Sequence, residues 1–316
     1  MRLVVALGGN ALLRRGEPAD VETQRRNVKT AAAAIADLSR DHEIVVTHGN
    51  GPQVGLLALQ ALAYADVEPY PLDVLGAESE GMIGYLLEQE LATVLPDQPV
   101  ATLLTQVEVG ADDPAFRVPT KPIGPVYDKV AADAVAAHRG WHMARDGAGW
   151  RRVVPSPEPR HVLELATIRL LIDKHVLVVC AGGGGIPVVV GDDGSVRGVE
   201  AVIDKDLSAA LLACLLDADA LLLLTDADAV WAGWGTPGGY PLAEARPAAL
   251  RTLELPAGSM GPKAEAACRF AESTGLPAYI GALEDAAAVL DGNAGTRVSV
   301  QAAGLVARQG RQSLTC

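Results

Sequence analysis

The most constraining feature of this chain is a repeated punctuation in which short aliphatic runs stop at glycine. Val4-Val5-Ala6-Leu7 stops at Gly8-Gly9, Ile44-Val45-Val46-Thr47 runs through His48 into Gly49-Asn50-Gly51, and Val176–Ala181 ends in Gly182-Gly183-Gly184-Gly185. Runs this short and this continuously apolar read as strands covered on both faces, as in parallel sheets. Alanine- and leucine-rich stretches of helical spacing separate them, so the pattern predicts an α/β fold: a three-layer αβα sandwich around a mostly parallel open sheet. Strands are expected over Leu3–Leu7, Glu43–Thr47, Val100–Thr105, Val176–Ala181, Ala220–Thr225 and Pro277–Ile280. Helices are expected over Val21–Ser39, Asp73–Leu95, His161–Ile172, Asp206–Leu216 and Pro262–Thr274, and Ile186–Val190 reads as a further strand.

Composition bounds the partners. A chain of 316 residues, 49% of them hydrophobic, can bury a sizeable core as one large or two moderate domains. Its net charge of −13 argues against a surface for nucleic acid or anionic lipid, so an anionic substrate needs a local cluster of positive charge. Cys180, Cys214, Cys268 and Cys316 form no CxxC pair, and reduced thiols in a cytoplasmic protein are the simplest account. The first apolar run is too short for a signal segment, and no stretch approaches the ~18 apolar residues of a membrane span.

One region breaks the rhythm. From about Asp112 to Pro159 prolines, Gly140, Gly147 and Gly149 interrupt any sustained periodicity, leaving a long loop or a small insertion subdomain. A lid and a solvated linker both remain open for it at this point.

In open parallel sheets ligands bind at the carboxyl ends of the strands, and glycine lets backbone N–H groups approach an anion closely. Gly8-Gly9-Asn10 and Gly49-Asn50-Gly51 stand there, although a Gly-Gly turn is also an ordinary tight turn. The four glycines from Gly182 lead into a strand and not a helix, which excludes a dinucleotide fingerprint. They wall a small pocket or simply flex.

Asp204-Lys205-Asp206 precedes an alanine-rich helix, with Asp206 placed to start it, where a carboxylate favours the helix dipole. Lys205 is unfavourable there unless it faces an anion, the alternative being a surface loop lysine. Gly258-Ser259-Met260-Gly261-Pro262-Lys263 puts a second lysine beside a helix start, without the spacing of a P-loop. Both lysines read as solvent-facing, so removing either should leave no cavity. Together with the glycine loops they suggest a site that neutralises several phosphate charges.

At these residues the chain resembles the amino acid kinase family over nearly its whole length. The likeness is carried by Val5–Leu12, Thr47–Gly55, Pro119–Pro125, Trp150–Pro157, Gly182–Val189, Gly198–Leu207 and Ser259–Lys263, in that order. Relatives such as acetylglutamate and glutamate 5-kinases resemble one another in a lysine two residues before the first Gly-Gly, where this chain has Ala6. The carbamate-phosphorylating branch resembles this chain instead, supplying charge from the Asp-Lys-Asp triplet and from a lid-like insertion, here Lys205 and Lys121.

That resemblance implies ATP + carbamate ⇌ ADP + carbamoyl phosphate, in a cytoplasmic homodimer using Mg²⁺ bound through the nucleotide phosphates, within arginine and carbamoyl phosphate metabolism. It implies an acceptor half over residues 1–200, with the insertion at about 112–159, and a nucleotide half over 201–316. Lys121, Lys205, Asp206 and Lys263 take catalytic roles by this likeness, Asp206 orienting the lysines. Gly8, Gly9, Asn10, Gly49, Asn50 and Gly51 line the acceptor and phosphoryl site; Thr225, Asp226, Trp231, Met260, Gly261 and Lys263 hold the nucleotide. Two alternatives stay open: a family member phosphorylating another small carboxylate, phosphonate or phosphate, and a non-catalytic nucleotide sensor.

Overall fold

Successive residues of a strand face opposite sides of its sheet, and here both sides are apolar. In the computed structural model Val4, Ala6, Val45, Val178, Leu221 and Leu223 face one core, whereas Leu3, Val5, Leu7, Val46, Leu222 and Leu224 face the other. Residues 1–308 are described, apart from Arg15, Ala19, Ala65 and Ala257; the side chains of Asn10 and Ala11, and Cys316, lie outside the described residues.

The strands in chain order are β1 (Arg2–Leu7), β2 (Glu43–His48), β3 (Val100–Thr102), β4 (Gln106–Val109), β5 (Lys121–Tyr127), β6 (Met143–Asp146), β7 (Gly149–Val154), β8 (Pro159–Val162), β9 (Leu177–Val179), β10 (Ile186–Val190), β11 (Val196–Gly198), β12 (Ala220–Thr225), β13 (Trp231–Ala232), β14 (Tyr240–Ala245), β15 (Ala278–Ala282), β16 (Thr296–Val298) and β17 (Leu305–Ala307). The main sheet runs β13-β14-β16-β15-β12-β1-β2-β9-β3, with β17 beside β14. Its centre, β15-β12-β1-β2-β9-β3, is parallel throughout.

The helices are α1 (Gly9–Leu12), α2 (Val21–Ser39), α3 (Gly51–Ala63), α4 (Leu72–Val94), α5 (Lys129–Arg139), α6 (Leu165–Ile172), α7 (Lys205–Leu215), α8 (Pro247–Leu250), α9 (Met260–Thr274) and α10 (Ala286–Leu290). Apolar residues of α6, α7 and α9 fill the first core; those of α2, α4 and α10 fill the second. The sandwich expected from the sequence is therefore present. α2 has the expected bounds because Asp20 caps it, its side chain accepting from Thr23 N at 2.8 Å.

The expected helix over His161–Ile172 is corrected. Its first residues belong to β8, where Val162 pairs with Val107 and is fully buried, and Glu164 accepts from Gln106 N before α6 begins. Long-range pairing there overrides local helical spacing. The strands at Val100 and Val176 are also shorter than expected, ending at Thr102 and Val179.

Within the irregular region, β5, β7 and β6 form a separate three-stranded antiparallel sheet beside α5, and β11-β10-β4-β8 form a further four-stranded sheet. Arg152 on β7 lies 4.3 Å over the Trp141 ring and pairs with Glu200 at 3.2 Å. The other Glu200 oxygen accepts from Leu72 N at the start of α4, tying this small sheet to the main body.

Candidate active site

The adjacent strands β12, β1, β2 and β9 all point the same way, so the loops after them gather at one sheet edge. Gly8 N donates to Leu224 O at 2.8 Å and Gly49 N to Leu7 O at 3.0 Å, the last rungs before the loops leave the sheet. A β-carbon on Gly49 would lie 2.9 Å from Gly9 N and 3.2 Å from the Lys205 side chain. Gly49 is thus the point where the loops after β1 and β2 and the lysine meet. Gly183, at φ 69°, packs on the Asn50 amide so tightly that a β-carbon would overlap it.

On the other core face α7 and α9 bring the charges to the same edge. Asp204 caps α7, its Oδ1 accepting from Asp206 N at 2.9 Å and Leu207 N at 3.3 Å. This corrects the reading of Asp206 as the residue that starts the helix. Asp206 lies inside the first turn with its carboxylate shared: Oδ1 pairs with Lys205 Nζ, and Oδ2 pairs with Lys263 Nζ at 3.2 Å. Lys121 reaches from β5 to pair with Asp204 Oδ2. The three expected lysines are therefore joined through two aspartates.

Their burial corrects a second expectation. Lys263 is only 7% exposed and Asp206 3%, and Lys205 keeps little solvent contact, so neither lysine is solvent-facing. Burial, with Lys263 close by, pushes Lys205 down to about 8, while Asp206 opposes the fall. Burial works against the Asp206 carboxylate too, but Lys205 and Lys263 outweigh it and hold that group at about 2. For Lys263 burial is outweighed by Asp206, and the ammonium is held above its ordinary range.

The amino acid kinase family model matches residues 1–282. The chain belongs to the amino acid kinase family. It is 57% identical over 302 residues to a carbamate kinase of Rhizobium meliloti, covering 95% of this chain and 93% of that one. It is 53% identical to a carbamate kinase of Haemophilus influenzae, covering 96% of this chain and 99% of that one. Among solved structures, a carbamate kinase from Giardia lamblia bound to AMP-PNP superposes with a TM-score of 0.85 at 42% identity, covering 94% of this chain and 98% of that chain.

For a member of this family, the remaining expected residues fall into two groups. Thr225 ends β12 directly above Gly8 and donates to Asp226 Oδ1 at 3.0 Å, while Met260 and Gly261 open the helix that carries Lys263. Farther along the chain, Trp231 donates to Asp228 Oδ1 at 2.9 Å and meets the Trp234 ring edge-on at 5.3 Å. Gly51 opens α3, and Asn10 lies in α1 with its side chain outside the described residues.

Three residues to which the sequence assigned no role are brought to the site. Asp204 was overlooked because a cap and a charge bridge look alike in sequence. Ser79 and Glu80 lie buried in the middle of α4, where Leu75, Ile83, Leu87 and Leu91 supply the apolar face. Polar residues on an otherwise apolar stripe were the available signal. Among the described residues no three His, Cys, Asp or Glu side chains group as a metal site. The carboxylates of Asp204 and Asp206 are already held by lysines, a donor set that fits Mg²⁺ carried on nucleotide phosphates and not caged by the protein.

Proposed function

We propose that this chain is a carbamate kinase, transferring a phosphoryl group reversibly between ATP and carbamate. The observation that carries the reading is the buried Lys205-Asp206-Lys263 bridge set against Gly49, in a chain 57% identical to a carbamate kinase. Carbamate is already an oxyanion, so its oxygen attacks the γ-phosphorus without a general base. As that O–P bond forms, the bond from phosphorus to the ADP oxygen breaks. What the protein must supply is charge neutralisation and alignment of two anions.

In this proposal Lys205 and Lys263 neutralise the transferring phosphoryl and the β/γ-phosphates, and Asp206 fixes both ammonium groups in place. Backbone N–H groups of Gly9 and Gly51 and the Asn10 and Asn50 amides hold carbamate and the phosphoryl oxygens, with Gly8 and Gly49, whose own N–H groups close the last sheet rungs, lining the site beside them. Lys121 closes the acceptor side from the β5-β7-β6 sheet, and Thr225, Asp226, Trp231, Met260 and Gly261 hold the nucleotide. Mg²⁺, carried on the nucleotide phosphates beside Lys205 and Lys263 and not held by a carboxylate cage, would withdraw charge from those phosphates when bound.

Residues 1–200 then form the acceptor half, with the insertion as lid, and 201–316 the nucleotide half. We assign the chain to the cytoplasm and to arginine and carbamoyl phosphate metabolism on the same likeness. No described helix is long and apolar enough to cross a membrane. A homodimer is proposed because α3 and α4 expose Leu56, Leu59, Met82 and Tyr85, an apolar surface suited to a second copy.

The test supplies carbamoyl phosphate and ADP with Mg²⁺ and follows ATP. Steady formation is expected. No ATP there, with phosphoryl transfer to another small acid, would overturn the assignment.

A further inference from the structure

We propose that Ser79 and Glu80, side by side in the middle of α4, are positioning residues that lock the Gly49-Asn50-Gly51 loop and the Gly182–Gly185 loop together for phosphoryl transfer. The inference rests on the carbamate kinase reading. Ser79 Oγ accepts from the Asn50 amide at 2.8 Å and donates to Gly76 O at 2.8 Å, so Asn50 is held from behind. Glu80 Oε1 accepts from Gly182 N at 2.7 Å, and Oε2 accepts from Thr105 N at 3.3 Å. Both side chains are buried, at 0% and 1% exposure.

A carboxyl group in a core is costly, and α4 uses leucine or isoleucine at neighbouring buried positions. Its presence is explained by what it holds. Ala181, the residue before the four glycines, adopts φ 50°, a left-handed conformation unfavourable for alanine. Such a residue persists only where its surroundings fix it. Thr105 Oγ1 accepts from Ala181 N at 2.9 Å and Glu80 accepts from the next N–H, so two side chains clamp the entry to the loop. Two residues on, Gly183 packs on Asn50, the residue that Ser79 holds. The circuit Ser79, Asn50, Gly183, Gly182, Glu80 closes on consecutive residues of one helix turn.

Neither side chain is assigned contact with substrate; both act through the loops. A loop displaced by about 1 Å can lower turnover about 100-fold. Glu80→Leu should therefore lower kcat/KM for carbamoyl phosphate by about 100-fold while the KM for ADP stays within about twofold. Glu80→Gln keeps one oxygen for the Gly182 N–H and should recover activity to within about fivefold of the parent protein. Ser79→Ala, which deletes a single oxygen, should cost about tenfold, again on the carbamoyl phosphate side alone.

The experiment measures ATP formation with each substrate varied, beside a thermal melt of every variant. A folded Glu80→Leu protein with unchanged carbamoyl phosphate kinetics would overturn the proposal. So would a fall in kcat with both KM values unchanged and no recovery in Glu80→Gln, since that describes lost folded protein. If Glu80→Leu gives no cooperative melt, Ser79→Ala decides alone, and unchanged carbamoyl phosphate kinetics there refutes the clamp. An unmutated protein inert toward carbamoyl phosphate and ADP would overturn the functional reading itself.

Discussion

Asp206→Asn tests the charge bridge most directly, because it removes one charge and almost no volume. At 3.2 Å from Lys263 Nζ, the Asp206 carboxylate interacts by about 5 kcal/mol at an effective dielectric of 20, and Lys205 is held at least as closely. Burial already depresses Lys205 to about 8, with Asp206 preventing a further fall. Without that carboxylate the Lys205 ammonium should lose its proton below neutral pH, and one of the two cations proposed to meet the phosphoryl group then disappears. Turnover at pH 7 should fall about 10³-fold, the scale of losing one strong transition-state contact. Stability should fall by far less than the two pair energies together. Lys205 escapes the unpaired state by releasing its proton, which at pH 7 costs only about 1.4 kcal/mol beyond its present state. The net loss is then about 2–4 kcal/mol, or a few degrees in Tm. The assay is ATP formation from carbamoyl phosphate and ADP between pH 6 and 8.5. Acidification reprotonates Lys205, so the ratio of variant to parent kcat/KM should rise as pH falls. Parent-like turnover at pH 7, or a ratio that does not change with pH, would refute the reasoning.

In the unmutated protein, kcat/KM should fall above about pH 8 as free Lys205 deprotonates, and Lys205→Arg should move that limb upward; a pH–rate profile checks both. Burial raises Glu80 to about 8 from an unfolded value of 4.5, so its contribution to stability is full below pH 4.5 and is lost as pH rises through about 8. Calorimetry should show the parent losing stability relative to Glu80→Gln between pH 5 and 8. Gly183→Ala puts a methyl group where the Asn50 amide sits, at a φ of 69° that alanine resists, and should cost about 2–3 kcal/mol and most of the turnover, read from a melt and a rate on one preparation. Lys121→Ala removes the partly exposed pair to Asp204 and should shift Tm by no more than a degree or two, yet lower kcat/KM for carbamoyl phosphate about 10–100-fold, checked by steady-state kinetics.

The sheet was legible because strand and glycine coincide in the chain. Apolar runs ending at Gly8, Gly49 and Gly182 implied parallel strands with loops at one edge, and these strands are neighbours there. α2 was legible to its ends because an aspartate caps it locally. What stayed hidden depends on partners far away in sequence. β8 reads as helix until Val107 pairs with it, and the role of Glu80 is set only by Gly182, 102 positions later, whose N–H needs an acceptor. The lysines were picked out by their unfavourable place at helix starts. Their burial was not, since it arises only when α7 and α9 pack over the same strands and share Asp206.

That sharing bears on how a protein of net charge −13 handles two anions. Lys121, Lys205 and Lys263 face Asp204 and Asp206, so three positive charges less two negative leave the described cluster at +1. A surplus that small cannot by itself neutralise a triphosphate and a carbamate. The aspartates instead make it feasible to keep ammonium groups in a dry site before substrate arrives, so that no charges must be gathered during the reaction. In the proposed reaction the rest of the neutralisation is divided between Mg²⁺ on the nucleotide and groups with partial charge and no counter-ion, the free backbone N–H groups of the glycine loops. Moving a glycine loop should therefore harm turnover on the scale of deleting a lysine.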